Sequence, residues 1–144
     1  MYLSQRLRIN KTDFVTTLVV TSGPREEIVA SVDVFATRRP DSMRCIASLE
    51  PQRSSLRKMR GHGHCESLAV AHEQRRNGFA RQLLRRSEDM VASWGYEWMT
   101  LQVEIGNNAA RQLYISSGYE VWDCRRRPLR IWRPPVELLG KQIA

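Results

Sequence analysis

Three stretches hold residue types at spacings that could do chemistry. In "VAHEQRRNGFARQLL" (residues 70–84), Arg75, Gly78 and Ala80 stand where a strand gives way to a helix. A helix N-terminus offers unpaired backbone N–H groups and the positive end of the helix dipole. A glycine there lets a ligand come close to the backbone, and a small alanine keeps the first turn open. Such a turn is a seat for phosphate. In "NNAARQLYISSGY" (107–119), Asn107 opens a second helix, Ala110, Leu113 and Tyr114 fall at helical spacing, and Gly118 ends it. In "HGHCESLAV" (62–70), His64, Glu66 and Leu68 share one face of an expected strand because side chains alternate. An imidazole and a carboxylate side by side are candidate proton acceptors.

Other chemistries fit these residues less well. The chain lacks G-x-G-x-x-G and G-x-x-x-x-G-K-[ST], which disfavours a dinucleotide-binding Rossmann site and a P-loop. His62, His64 and Cys65 are too few to close a metal site, and neighbouring strand residues face opposite ways, so no metal is expected. Cys65 reads as a small buried strand residue rather than a nucleophile.

The elements that must position these residues follow from patterning. Residues 14–20 and 28–36 are β-branched runs around a Gly23-Pro24 turn, a hairpin. Residues 38–61 read as a long basic loop, in which "MRCIASL" would be a short buried segment; a loop this long is functional or mobile. Strand patterning resumes at 64–70, and a helix is expected from about residue 77 to 94, with Phe79, Leu83, Leu84, Ser87, Val91 and Trp94 on one face. A strand at 98–103, a helix at about 108–117 and a strand at 119–123 follow. "LRIW" or "VELLG" continues the strands, within a basic C-terminal strand or tail at 125–144. The order β-β-β-α-β-α-β predicts a mixed sheet with helices against it, an α/β (α+β mixed) fold, as one domain over 1–144.

These blocks, in this order, resemble the GCN5-related N-acetyltransferase (GNAT) superfamily. Its first signature, [RQ]-x-x-G-x-[GA], is matched by Arg75, Gly78 and Ala80. Its second, N-x-x-A-x-x-L-Y-x-x-x-G-[FY], is matched by Asn107, Ala110, Leu113, Tyr114, Gly118 and Tyr119. The resemblance covers roughly residues 14–123. "VASWG", followed by a basic tail with "RP" and an aliphatic stretch, is similar to the plastid-type enzymes of plants and algae, which acetylate protein N-termini and lysine side chains.

The resemblance implies a mixed central sheet with helices on both faces and acetyl-CoA as co-substrate, lying where two parallel strands splay apart. The backbone of Leu68, Ala69 and Val70 would bond the pantetheine. The turn and helix start from Arg75 through Arg76, Asn77, Gly78, Phe79 and Ala80 to Arg81 would hold the pyrophosphate. Asn107, with Asn108 beside it, would bond the pantetheine arm, and Tyr114 would protonate the departing thiolate. A strand amide near Leu68 would receive the oxyanion. The attacking amine must lose a proton, since a lysine amine has a reference pKa of about 10.4. Glu66 ranks first as its acceptor, His64 second and Glu104 third. Gln102 stands where N-terminal-acetylating bacterial relatives carry a glutamate, and glutamine takes no proton. The family's first strand and the two helices after it have no clear counterpart in the thirteen residues before Phe14; the chain is a fragment, or another element fills in.

Composition bounds the rest. The chain has 144 residues, 42% of them apolar, and a formal net charge of +8. That suffices for one buried core and points to a partner carrying negative charge. DNA or RNA would satisfy it, and "RRRPLRIWR" (125–133) interleaves arginine with an aromatic. No nucleic-acid fold accompanies that segment, so nucleic-acid binding is the disfavoured alternative, beside an acyl-CoA binder that no longer transfers. The expected acceptor is a protein or peptide amine, with a small amine still open. Three cysteines without a C-x-x-C pair favour a reducing compartment. No run is apolar enough for a membrane span or signal peptide, so the expected setting is intracellular, in the cytoplasm or, by resemblance alone, the chloroplast.

Overall fold

The computed structural model describes residues 2–10, 13–37, 61–125 and 135–144. The expected basic loop, except Gly61, lies outside the described residues, as does "RRRPLRIWR" after Arg125. Among the described residues seven strands are formed: β1 (Tyr2–Asn10), β2 (Asp13–Ser22), β3 (Glu27–Thr37), β4 (His62–Val70), β5 (Trp98–Glu104), β6 (Glu120–Arg125) and β7 (Val136–Gln142). Among the same residues two α-helices join them, α1 (Phe79–Ser93) after β4 and α2 (Asn108–Ser116) after β5. The strands make one mixed sheet in the order β1-β2-β3-β4-β5-β7-β6. Every neighbouring pair is antiparallel except β4 and β5.

β1 departs from the sequence expectation, which found no first strand. It pairs with β2 from Tyr2↔Thr21 to Asn10↔Asp13. Leu3, Leu7 and Ile9 alternate with Ser4, Arg6 and Arg8, a period-two pattern diluted by charge. Only two residues separate β1 from β2, so no helices stand between them.

Among the described residues, both α-helices pack on one face of the sheet. Leu83, Leu84 and Val91 of α1 and Tyr114 of α2 join one core with Leu18, Val32, Cys65, Met99, Leu101 and Leu139. α1 lies close to β4 because Gly63 has no side chain; a Cβ there would run into both Val91 methyls. Lys141 of β7 pairs with Glu88 of α1 at 2.8 Å and ties the helix to the far side of the sheet.

The feature that matters for function is a bulge in β4. Ser31 faces Ala69 and Asp33 faces Glu66, so Val32 stands opposite two residues, Ser67 and Leu68. Ser67 sits at φ 55, the left-handed region, as the extra residue of such a bulge can. The bulge turns Leu68 and Val70 to the helix-covered face, where both pack against the core. His64 and Glu66 stay on the opposite face, with their partners Phe35 and Asp33. The expectation that His64, Glu66 and Leu68 share a face is corrected: alternation holds from His64 to Glu66 and breaks at Ser67.

Candidate active site

Pairing between β4 and β5 covers only Gly63↔Met99, His64↔Thr100 and Cys65↔Leu101. Beyond Cys65 the two parallel strands run on without bonding each other. The sheet is therefore split, and the backbone groups of β4 that would have bonded β5 line the split. A groove of about 1070 Å³ lies on the helix-covered face. Its walls are the end of β4, the turn into α1 and one side of α2.

Most of the predicted cofactor residues meet in this groove. Leu68, Ala69, Val70, Arg75, Arg76, Gly78, Phe79, Ala80, Arg81, Asn107 and Tyr114 all line it. Asn77 and Asn108 do not. The Asn77 amide donates to the Gln74 carbonyl at 3.2 Å and braces the turn, and the Asn108 N–H donates to Gly106 at the entry to α2.

The turn is built for an anion. Arg76 at φ 69 and Gly78 at φ 80 curl the backbone left-handed before α1. Gly78 is the N-cap, and no side chain caps the helix. The first intrahelical bond runs from Gln82 N–H to Gly78 at 3.0 Å, which leaves the amides of Phe79, Ala80 and Arg81 without a helical acceptor. Arg75 donates to the Val70 carbonyl at 3.3 Å. Arg81 reaches across to the Ser116 hydroxyl at 3.0 Å and links α1 to α2.

At α2, the Asn107 side chain accepts from Ala110 N–H at 3.2 Å and caps the helix, so its amide nitrogen is the part left to bond a ligand. Tyr114 is buried, and burial, followed by the nearby Cys65, raises its hydroxyl from 10 to about 12. It therefore stays protonated at neutral pH. Cys65 is buried beneath α1, and burial pushes its thiol up to about 12 against the opposing Ser87 hydrogen bond. It carries no thiolate for a covalent step.

The proposed proton acceptors lie on the other face, at the mouth of the split. His64 Nδ1 is 2.7 Å from Thr100 Oγ1, and its Nε2 is 3.6 Å from Glu66 Oε1. Burial, followed by the charge of His62, lowers His64 from 6.5 to about 4. Glu66 is largely exposed. Gln102 and Glu104 are exposed on β5 on that same face, flanking the split. Among the described residues no group of three or more His, Cys, Asp or Glu converges as a metal site.

The motifs missed Gln74, Ala109, Arg111, Gln112, Ile115 and Ser116 of the groove wall. Arg111 follows Asn107 by one helical turn and pairs with Glu137 at 2.7 Å, so helical spacing from Asn107 would have found it. Thr100 was missed because an isolated threonine in a strand has no distinguishing signal.

A mixed sheet split between two parallel strands, with a groove running from the split to an open helix N-terminus, is the arrangement expected of an acetyltransferase of the GNAT family. Residues 18–119 match the family model of the acetyltransferase (GNAT) family, and the chain belongs to that family. It is 31% identical over 113 residues to GCN5-related N-acetyltransferase 7, chloroplastic, of Arabidopsis thaliana, covering 72% of this chain and 39% of that protein. To GCN5-related N-acetyltransferase 4, chloroplastic, of the same plant it is 29% identical over 75 residues, covering 51% of this chain and 26% of that protein. The matched region is thus less than half the length of either relative. The fold is that of Chaetomium thermophilum Naa20 in complex with a bisubstrate analogue, with a TM-score of 0.67 at 20% identity over 88% of this chain and 65% of that one. It is also that of yncA from Salmonella typhimurium with its cofactor acetyl-CoA, with a TM-score of 0.61 at 19% identity over 90% and 65% of the two chains.

Proposed function

We propose that this chain transfers an acetyl group from acetyl-CoA to a primary amine, a protein N-terminus or a lysine side chain, by direct attack within a ternary complex. The observation that carries this reading is the continuity of the groove. It has phosphate-ready amides at one end, an apolar lining of Leu68, Val70, Phe79 and Leu113, and a protonated tyrosine at the other end. A long molecule with a diphosphate, a flexible arm and a thioester fits that sequence of environments. The amides of Phe79, Ala80 and Arg81, backed by Arg75 and Arg76, hold the diphosphate. The β4 backbone and Asn107 hold the arm.

Tyr114 supplies the proton that the departing sulfur takes. The amine approaches from the opposite face, through the split, and gives its proton to the His64–Glu66 side. Glu104, exposed further along β5, is a more distant acceptor. The names of the two Arabidopsis relatives support a plastid setting for the chain, and import of a fluorescent fusion into isolated chloroplasts tests it.

The transfer itself is tested by incubating the protein with isotopically labelled acetyl-CoA and a peptide library, then reading the labelled amines by mass spectrometry. Labelled α-amines or lysines are expected. Thermal stabilisation by acetyl-CoA with no labelled amine would leave a non-catalytic binder, and no stabilisation would overturn both.

A further inference from the structure

On the acceptor face, one hydroxyl is shared between His64 and the backbone. Thr100 Oγ1 lies 2.7 Å from His64 Nδ1 and 3.3 Å from the Gly63 carbonyl oxygen. A carbonyl only accepts, and a threonine hydroxyl has a single proton. Both contacts are hydrogen bonds only if the hydroxyl donates to Gly63 and accepts from His64. That arrangement puts the imidazole proton on Nδ1. Thr100 is 1% exposed, so water does not replace it. Its backbone position is fixed by the last stretch of β4–β5 pairing, where Thr100 stands directly opposite His64.

We propose that Thr100 is a positioning residue: it locks His64 in the tautomer protonated at Nδ1, so that the Nε2 lone pair is what takes the proton from the attacking amine. The proposal deepens the acetyl-transfer reading above and rests on it. The groups facing the imidazole fit. Glu66 Oε1, 3.6 Å from Nε2, is too far to bond a neutral ring yet well placed to pair with an imidazolium once the proton arrives. The Phe35 ring packs at 5.2 Å, centroid to centroid. His62 precedes His64 on the same strand face, Asp33 stands on β3 opposite Glu66, where Thr17 donates to it at 2.6 Å, and Glu104 lies beyond neutral Gln102 on β5.

The step balances. The amine nitrogen forms a bond to the acetyl carbon, the C–S bond breaks, one amine proton passes to His64 Nε2, and the sulfur takes the Tyr114 proton. His64 then loses its proton to solvent and Tyr114 regains one. The histidine is neutral over the working range because it titrates well below neutrality, and the acidity of the nitrogen rises as its lone pair becomes a bond, so a weak but always available base suffices.

The test reads the ring directly. Two-dimensional ¹H–¹⁵N spectra of the histidine rings in the unaltered chain near neutral pH are expected to show His64 protonated at Nδ1 and bare at Nε2. The opposite tautomer overturns the proposal whatever the activity. Thr100→Val, close in shape and without the hydroxyl, is expected to mix the tautomers and to lower kcat about 10- to 100-fold, part of what a positioned base contributes. KM for acetyl-CoA should stay within about twofold, because the groove lies on the other face. Thr100→Ser should restore most of kcat. In a His64→Gln background, Thr100→Val should cost nothing further; an undiminished cost there shows a merely structural role and overturns the proposal. Absence of acetyl transfer by the unaltered chain would sink the functional reading and with it the catalytic half of this one, whereas a ring protonated at Nε2 sinks only the positioning by Thr100.

Discussion

At the scale of single residues, the two groups proposed to handle protons stand on opposite faces of the sheet, either side of the split. Tyr114 looks in from the groove and His64 from the acceptor side. Burial holds Tyr114 at about 12, above the reference value of a tyrosine, so it remains a neutral donor throughout the range where amines are nucleophilic. Tyr114→Phe is expected to lower kcat about a hundredfold while leaving acetyl-CoA affinity nearly intact, since the role proposed for the hydroxyl is at the leaving sulfur and not at the diphosphate. Single-turnover kinetics beside calorimetric titration separates the two, and an unchanged kcat would remove Tyr114 from the reaction. The order of the acceptors also changes. The family resemblance ranked Glu66 above His64. Geometry favours His64, which is mostly buried and oriented by a hydroxyl, while Glu66 is exposed and placed to pair with the protonated ring. His64→Gln should therefore slow turnover by about tenfold more than Glu66→Gln, measured as kcat on the same acceptor peptide.

At the scale of elements, the split depends on one extra residue. With Ser67 in place, β4 cannot continue both its β3 register and its β5 pairing, so β5 is released after Leu101. Deleting Ser67 restores continuous alternation. Leu68 and Val70 then keep the helix-covered face by plain alternation from Cys65, still opposite β3 as now, and without the bulge β4 can go on bonding β5. The deletion variant is expected to melt cooperatively while losing its thermal shift with acetyl-CoA; a retained shift would show that the groove does not need the bulge. The contact of α1 with β4 makes a second prediction. Gly63→Ala should destabilise the fold by about 1–3 kcal/mol, because the added methyl meets Val91. Combined with Val91→Ala, it should cost less than the sum of the two single changes, as urea denaturation would report.

These cases show what was legible. The helices announce themselves by period and by the glycines that end them, and the phosphate turn by Arg75, Gly78 and Ala80. The bulge does not, because "ESLAV" reads as ordinary alternation and the extra residue is defined only by what β3 places opposite it. β1 was missed for a related reason: its period-two pattern carries arginines, and whether such a segment pairs is decided by β2. The placement of α1 and α2 on the same face is also a tertiary result, fixed by which face of each strand collects Leu83, Val91 and Tyr114.

At the scale of the whole molecule, the acceptor face carries a pair of histidines that folding keeps neutral. His62 is 1% exposed, and its Nδ1 has no hydrogen-bond partner among the described residues. Burial lowers it from 6.5 to about 4. His64 is lowered to about 4 by burial and then by His62, so charging either ring makes charging the other harder. The unfolded chain, with histidines near 6.5, binds more protons than the folded one between those two values. Stability therefore rises with pH across that window, and is progressively lost as pH falls from 6.5 towards 4. For His62 alone the loss approaches roughly 3 kcal/mol. Most carboxylates titrate at the bottom of this window, so the upper half of it isolates the histidines. Urea midpoints measured from neutral pH down to about pH 5 should fall steadily, and His62→Gln should flatten that slope whatever it does to the stability at neutral pH. A slope unaltered by the substitution would mean that His62 titrates as an exposed histidine does, and that the acceptor face admits water to the start of β4.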